Sequence, residues 1–139
     1  MSLFLFDTDH ISLYQIGHAR VLQNTARHGL HPMALAVITI EEQFSGWQSA
    51  LRQARDDIRR EHVYRRLADT AQGYAGWLVL PFSLAAMRRH ETLVRAKLNV
   101  GSFDLKIAAI ALDYQATVVT RNIRDFRRVP DLAYVDWSI

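Results

Sequence analysis

The chain has 139 residues, half of them apolar, with only three prolines and no cysteine. That is material for one globular domain, residues 1–139, with a single sizeable core, and it rules out disulfides and thiolate metal sites. Basic residues outnumber acidic ones 17 to 14, a formal +3, and fifteen of the seventeen cations are arginine. Arginine presents a planar fork that suits phosphate, so the excess fits either a polyanionic partner or a solvated arginine-rich surface. No stretch approaches the roughly 18 apolar residues of a membrane span, and LFLF before the first acid is too short for a signal-peptide core. Together with the missing cysteines, this gives the expectation of a soluble, cytoplasmic protein with no membrane partner.

The first element is the apolar run Leu3 to Phe6, which leads directly into Asp7. A short run of this kind reads as a strand buried on both faces. His10 to Arg27 carries Ile11, Tyr14, Ile16, Val21 and Leu22 at mostly helical spacing, and Gly29 and Pro32 bracket a turn. Met33 to Thr39, MALAVIT, is a second strand-like run, followed by a helix from Ile40 through Asp57 with Glu41 and Glu42 in its first turn. Ile58 to Tyr74 continues as an arginine-rich helix. Gly76 to Phe82 reads as a third strand closed by Pro81, and Ser83 can cap an amphipathic helix to about Asn99. After Gly101 a helix is expected from about Phe103 to Tyr114, then the strand Ala116 to Thr120, the loop TRNIRDF, and a last strand in Leu132 to Trp137. Strands alternating with helices predict an α/β fold, with a parallel sheet flanked by helices on both faces.

In such a sheet, ligands bind at the carboxyl ends of the strands. Asp7, Glu42 and Asp125 all fall just beyond a strand end, and Asp104 opens an otherwise apolar helix. Singly, each acid has a bland explanation: Asp7 and Asp104 as caps, Glu42 as a first-turn charge, Asp125 as a turn former. Jointly they repel one another unless a cation neutralises them, and an all-oxygen set suits Mg²⁺ or Mn²⁺. Such an ion activates water and orients a phosphate, which suggests metal-assisted phosphodiester hydrolysis. Asp9 is read as the N-cap of the first helix in preference to a supporting acid. The six histidines are scattered, with no i, i+4 pair, so zinc is not expected. Nothing resembles a nucleophile elbow.

These residues resemble the pattern of PIN-domain proteins of the VapC type, the toxin half of a bacterial toxin–antitoxin pair, over nearly the whole chain. The matching pieces are Asp7-Thr8-Asp9; Thr39-Ile40-Glu41-Glu42 with Gly46; Gly101 to Asp104 with Ile107-Ala108-Ala109; and Thr120, Asn122, Asp125-Phe126, Val129-Pro130 and Trp137. The departure is Asp9, where the family usually has Asn. The resemblance selects Glu42 over Glu41 as the site acid. It implies a PIN-like fold and a Mg²⁺-dependent endoribonuclease that acts as a homodimer and is silenced by a cognate antitoxin. Asp7 and Asp104 would be the principal metal ligands, Glu42 and Asp125 would complete the site, and Thr8, Thr120 and Asn122 would orient the carboxylates. The stretch with Arg52, Arg55, Arg59, Arg60, Arg65 and Arg66 would track RNA or grip an acidic antitoxin, or form a salt-bridged face with Asp56, Asp57 and Glu61. Two rival readings are a PIN-like module that binds without cutting and a haloacid-dehalogenase-type phosphatase, for which Asp7-Thr8-Asp9 mimics the nucleophile motif but later motifs are missing.

Overall fold

The computed structural model describes residues 2–139. Five short strands, β1 (Phe4–Phe6), β2 (Met33–Ala36), β3 (Leu78–Leu80), β4 (Thr117–Val119) and β5 (Ala133–Val135), form one sheet in the order β3-β2-β1-β4-β5. Every pairing is parallel, with Phe6 opposite Leu35 on one side and Val119 on the other. The helices are α1 (Thr8–Gln15), α2 (Ala19–Arg27), α3 (Val37–Gln53), α4 (Asp57–Gln72), α5 (Leu84–Arg95), α6 (Ser102–Tyr114) and α7 (Ile123–Phe126). Among the described residues no helix is long and apolar enough to cross a membrane.

The central strand shows why the sheet is covered twice. Side chains alternate across a strand, so Leu5 joins a core built with Ala86, Leu93 and the apolar face of α6. Phe4 and Phe6 join the opposite core with Ile11, Val21 and Trp137. All three β1 residues are buried. The α/β expectation from strand and helix alternation is the architecture observed.

Several boundaries differ from expectation. β2 ends at Ala36, and Val37, Ile38 and Thr39 form the first turn of α3. A buried helical turn and a buried strand share the same apolar, β-branched look, so the run MALAVIT could not show where one became the other. Glu42 therefore sits in the second turn of α3, and that helix has no acid in its first turn. The expected helix from His10 to Arg27 is broken at Gly17, whose φ of +81° ends α1. It is glycine that makes this left-handed turn cheap. Asp7 is the N-cap of α1 and Asp9 lies in its first turn, so the N-cap reading of Asp9 is corrected. The third strand is shorter than expected and Ser83 caps α5 as expected, its Oγ accepting from Ala86 N at 3.1 Å. α5 stops at Arg95, before Lys97 and Asn99, which take φ of 53° and 59°. Within TRNIRDF, Ile123 to Phe126 forms a single helical turn.

Candidate active site

Asp7 is the single residue between β1 and α1. Its backbone N–H still donates across the sheet to Val119 O at 3.1 Å, while its Oδ1 accepts from His10 N at 2.8 Å. The carboxyl is thus fixed at the strand end and only 4% exposed. Burial pushes it up to about 7; the Thr120 side chain and the His10 N–H pull it back, and Asp9 and Asp104 push it further up. Without a cation, this group is near its titration midpoint at neutral pH.

Glu42 from α3 and Asp104 from α6 line the same cleft of about 540 Å³ as Asp7, together with Asn122, Thr8, Asp9, Ser12 and Arg121. Asp104 is also raised, chiefly by burial; Asn122 opposes this, and Glu42, Asp125 and Asp9 add to it. Asp125 is one step removed and is absent from the lining. Its connection is Asn122, whose Nδ2 donates to Asp104 Oδ2 at 3.2 Å and to Asp125 Oδ2 at 3.0 Å. The other oxygen of Asp125 faces Arg128 Nη1 at 3.3 Å and Arg124 Nε at 3.7 Å.

Of the expected orienting groups, Thr120 and Asn122 touch one another as well as the acids, since Thr120 Oγ1 accepts from Asn122 N at 2.8 Å. Thr8 differs: its hydroxyl shares a 3.0 Å hydrogen bond with Thr39 and so pins α1 to α3. The arrangement is a set of carboxylates from four elements, of which Asp7, Asp104 and Asp125 are tied together by one amide and one hydroxyl while Glu42 only lines the cleft. Two of its members are held protonation-prone by burial and mutual repulsion. All its acidic donors are oxygens, and Asp7, Glu42 and Asp104 have no cationic partner among the described residues, which is the chemistry a hard divalent cation fits.

Three features were not foreseen. Arg121 is the first: its Nε and Nη2 donate to Asp9 Oδ2 and Oδ1, each at 2.8 Å, in a bidentate pair at the cleft rim. One more arginine in an arginine-rich chain carries no signal, but an acid at position 9 in place of Asn could have prompted a search for its cation. The second is His10, whose ring is fully buried. Its nitrogens have no hydrogen-bond partner, its Nε2 is 4.0 Å from Asp136 Oδ1, and burial holds it below the usual histidine range. Asp7, Asp9 and His10 each place a donor atom within 4.8 Å of the others. The third is a larger cleft of about 800 Å³ between α1, α3 and α4 that shares Ser12 and Glu42 with the acidic one. There, Arg66 lies 5.8 Å over the Trp47 ring, and Trp47 Nε1 donates to Thr70 Oγ1 at 2.9 Å. In the arginine-rich stretch, Arg59, Arg60 and Arg65 pair with Asp56, Asp57 and Glu61. The salt-bridged reading therefore describes half of it.

No family model matches the chain. Local sequence similarity is found to Ribonuclease VapC1 of Haemophilus influenzae strain R2866, 38% identical over 47 residues, which is 34% of this chain and 35% of that protein. It is also found to Ribonuclease VapC2 of Rickettsia felis, 45% identical over 41 residues, 30% of this chain and 31% of that one. The chain thus spans about a third of the length of the curated relatives it matches. Over nearly the whole chain the fold is similar to that in the crystal structure of VapBC2 from Rickettsia felis bound to a promoter DNA fragment: TM-score 0.75, 20% identity, covering 97% of this chain and 98% of that one. It is likewise similar to VapBC-1 from nontypeable Haemophilus influenzae, with TM-score 0.74 and 22% identity over 99% of each chain. At these identities the likeness establishes the fold, which is the PIN-like α/β fold.

Proposed function

We propose that the chain is a divalent-metal-dependent endoribonuclease, the toxin of a VapBC-type pair, acting in the cytoplasm as a homodimer on RNA and silenced by a cognate antitoxin. The observation that carries this reading is the meeting of Asp7, Glu42 and Asp104, from three different elements, in one cleft, with Asp125 joined through Asn122. The names of the relatives, ribonucleases VapC, agree with it in substrate.

In this reading Asp7 and Asp104 hold the ion, Mg²⁺ with Mn²⁺ as substitute, and Glu42 and Asp125 complete the acidic site. When bound, such an ion activates water, orients a phosphate and offsets charge on the leaving oxygen. The remaining work falls to the chain. His10 N and the Thr120 side chain fix Asp7. Asn122 holds Asp104 and Asp125 in one register. Asp125 contributes negative charge from behind Asn122, and its second oxygen is occupied by arginine. Glu42, half-buried at the cleft with no hydrogen-bond partner among the described residues, is free to take a proton from the attacking water. Asp9 is engaged by Arg121, which counts against the phosphatase reading, since that chemistry needs the second acid of Asp-x-Asp free to move protons.

The test is incubation of the purified chain with total RNA in Mg²⁺ or in excess EDTA, alongside a small phosphomonoester. Discrete RNA fragments in Mg²⁺ only, with the phosphomonoester untouched, are expected. A folded chain that leaves all RNA intact in Mg²⁺ and in Mn²⁺ would contradict the nuclease and favour a binding module.

A further inference from the structure

Arg121 is the one cation among the residues lining the acidic cleft. It comes from the loop between β4 and α7, and it reaches Asp9 on α1 across 112 residues of sequence. Both side chains are about half exposed, 51% for Arg121 and 49% for Asp9. Exposed pairs of this kind add little to stability. What a bidentate fork does add is orientation: with Nε and Nη2 committed to the carboxylate, the guanidinium plane is fixed. Nη1 has no partner among the described residues. The pair also settles an account of charge. Asp9 stands beside Asp7 and Asp104, whose carboxyls are already raised, and Arg121 offsets part of its charge.

We propose that Arg121 binds a backbone phosphate of RNA beside the site of cleavage, and that Asp9 is its positioning residue and not a ligand of the metal. The inference rests on the ribonuclease reading of the same cleft. An acid in place of Asn at position 9 is then one half of a phosphate clamp whose other half is Arg121. Arginine suits the task because its fork can hold a carboxylate on one edge and a phosphate oxygen on the other.

The experiment measures binding of a short, fluorescein-labelled, single-stranded RNA of mixed sequence to the full chain carrying Asp104→Asn, which blocks cleavage, across a salt series. Adding Arg121→Ala is expected to weaken binding about tenfold and to lower the slope of log K against log salt by about 0.7, the value for one phosphate contact on a single strand. Arg121→Lys keeps the charge and should keep the slope. Arg121→Gln serves as a second neutral variant with similar side-chain bulk. Asp9→Asn in the otherwise unaltered chain should leave Mn²⁺ affinity within twofold; in the Asp104→Asn background it should weaken RNA binding about threefold, and should do nothing further once Arg121 is alanine. An unchanged slope in both neutral variants, where the Asp104→Asn parent binds RNA and the unaltered chain cuts it, would overturn the Arg121 assignment alone. A tenfold loss of Mn²⁺ affinity in Asp9→Asn would make Asp9 a ligand and overturn its positioning role. Absence of RNA binding by the parent, with no cleavage by the unaltered chain, would overturn the ribonuclease reading and this inference with it.

Discussion

Asp7 does two jobs that looked like competing explanations when only its neighbours in sequence were known. It caps α1 through Oδ1 and stands at the wall of the acidic cleft. Because a single residue separates the strand from the helix, the first acid takes the cap and Asp9 is pushed into the first turn, free to meet Arg121. That local geometry cannot be read from the order of the acids, although their identity and their placement after strands can. The position of Asp7 has a cost that pH exposes. Its carboxyl is raised from 3.8 to about 7 in the folded chain, so between those values the folded state holds a proton that the unfolded state has released. Stability therefore falls as pH rises through that window. In EDTA near pH 8, Asp7→Asn should raise stability by on the order of 1–3 kcal/mol; in Mg²⁺ the same change should abolish RNA cleavage. Thermal melts of both chains check this, and the gain should shrink toward pH 4. His10, held below its usual range, acts with the opposite sign as pH falls through the histidine range, which is why the comparison must be between the two chains. An Asp7→Asn chain no more stable than its parent at pH 8 would contradict the buried-charge account.

At the scale of elements, the least legible part was the loop TRNIRDF. Its single turn, α7, is too short for any periodicity to announce it, yet it sets Asp125 behind Asn122. Asn122 is accordingly the joint between α6 and α7. Asn122→Ala should leave the melting temperature nearly unchanged and reduce cleavage by about 10- to 100-fold, with a parallel loss of metal affinity, the range expected when a group that orients ligands is removed. Full activity in that variant would show that the two acids need no common tether. The break between α1 and α2 was also missed, since the apolar spacing runs on past it. Gly17 has open space around it, so its φ of +81° is the whole objection to a side chain there. Gly17→Ala should cost about 1 kcal/mol in a denaturant melt without altering metal binding; an equal or higher stability would mean that the turn relaxes freely.

At the scale of the molecule, most of the plan was legible, because alternating strands and helices with buried runs leave few topologies. The all-parallel order β3-β2-β1-β4-β5 puts β1 and its neighbours β2 and β4 at the centre of the sheet, and the segments that follow them bring Asp7 to Thr120 and Thr8 to Thr39. What the pattern could not supply was the cleft itself, whose shape depends on where α3 starts and where the β4–α7 loop places Arg121 and Asn122. Fold and chemistry should also separate cleanly under mutation. Leu5, fully buried in the central strand, should cost about 2–5 kcal/mol as Leu5→Ala, with activity and cooperative unfolding lost together. Asp104→Asn should lose activity in a chain that melts no lower than its parent. The most direct measurement of the central claim is the Mn²⁺ binding isotherm of the unaltered chain beside Asp7→Asn and Asp104→Asn. The shared-site account predicts one binding event weakened at least tenfold by either change; an isotherm that survives both substitutions would place the ion elsewhere and contradict the account.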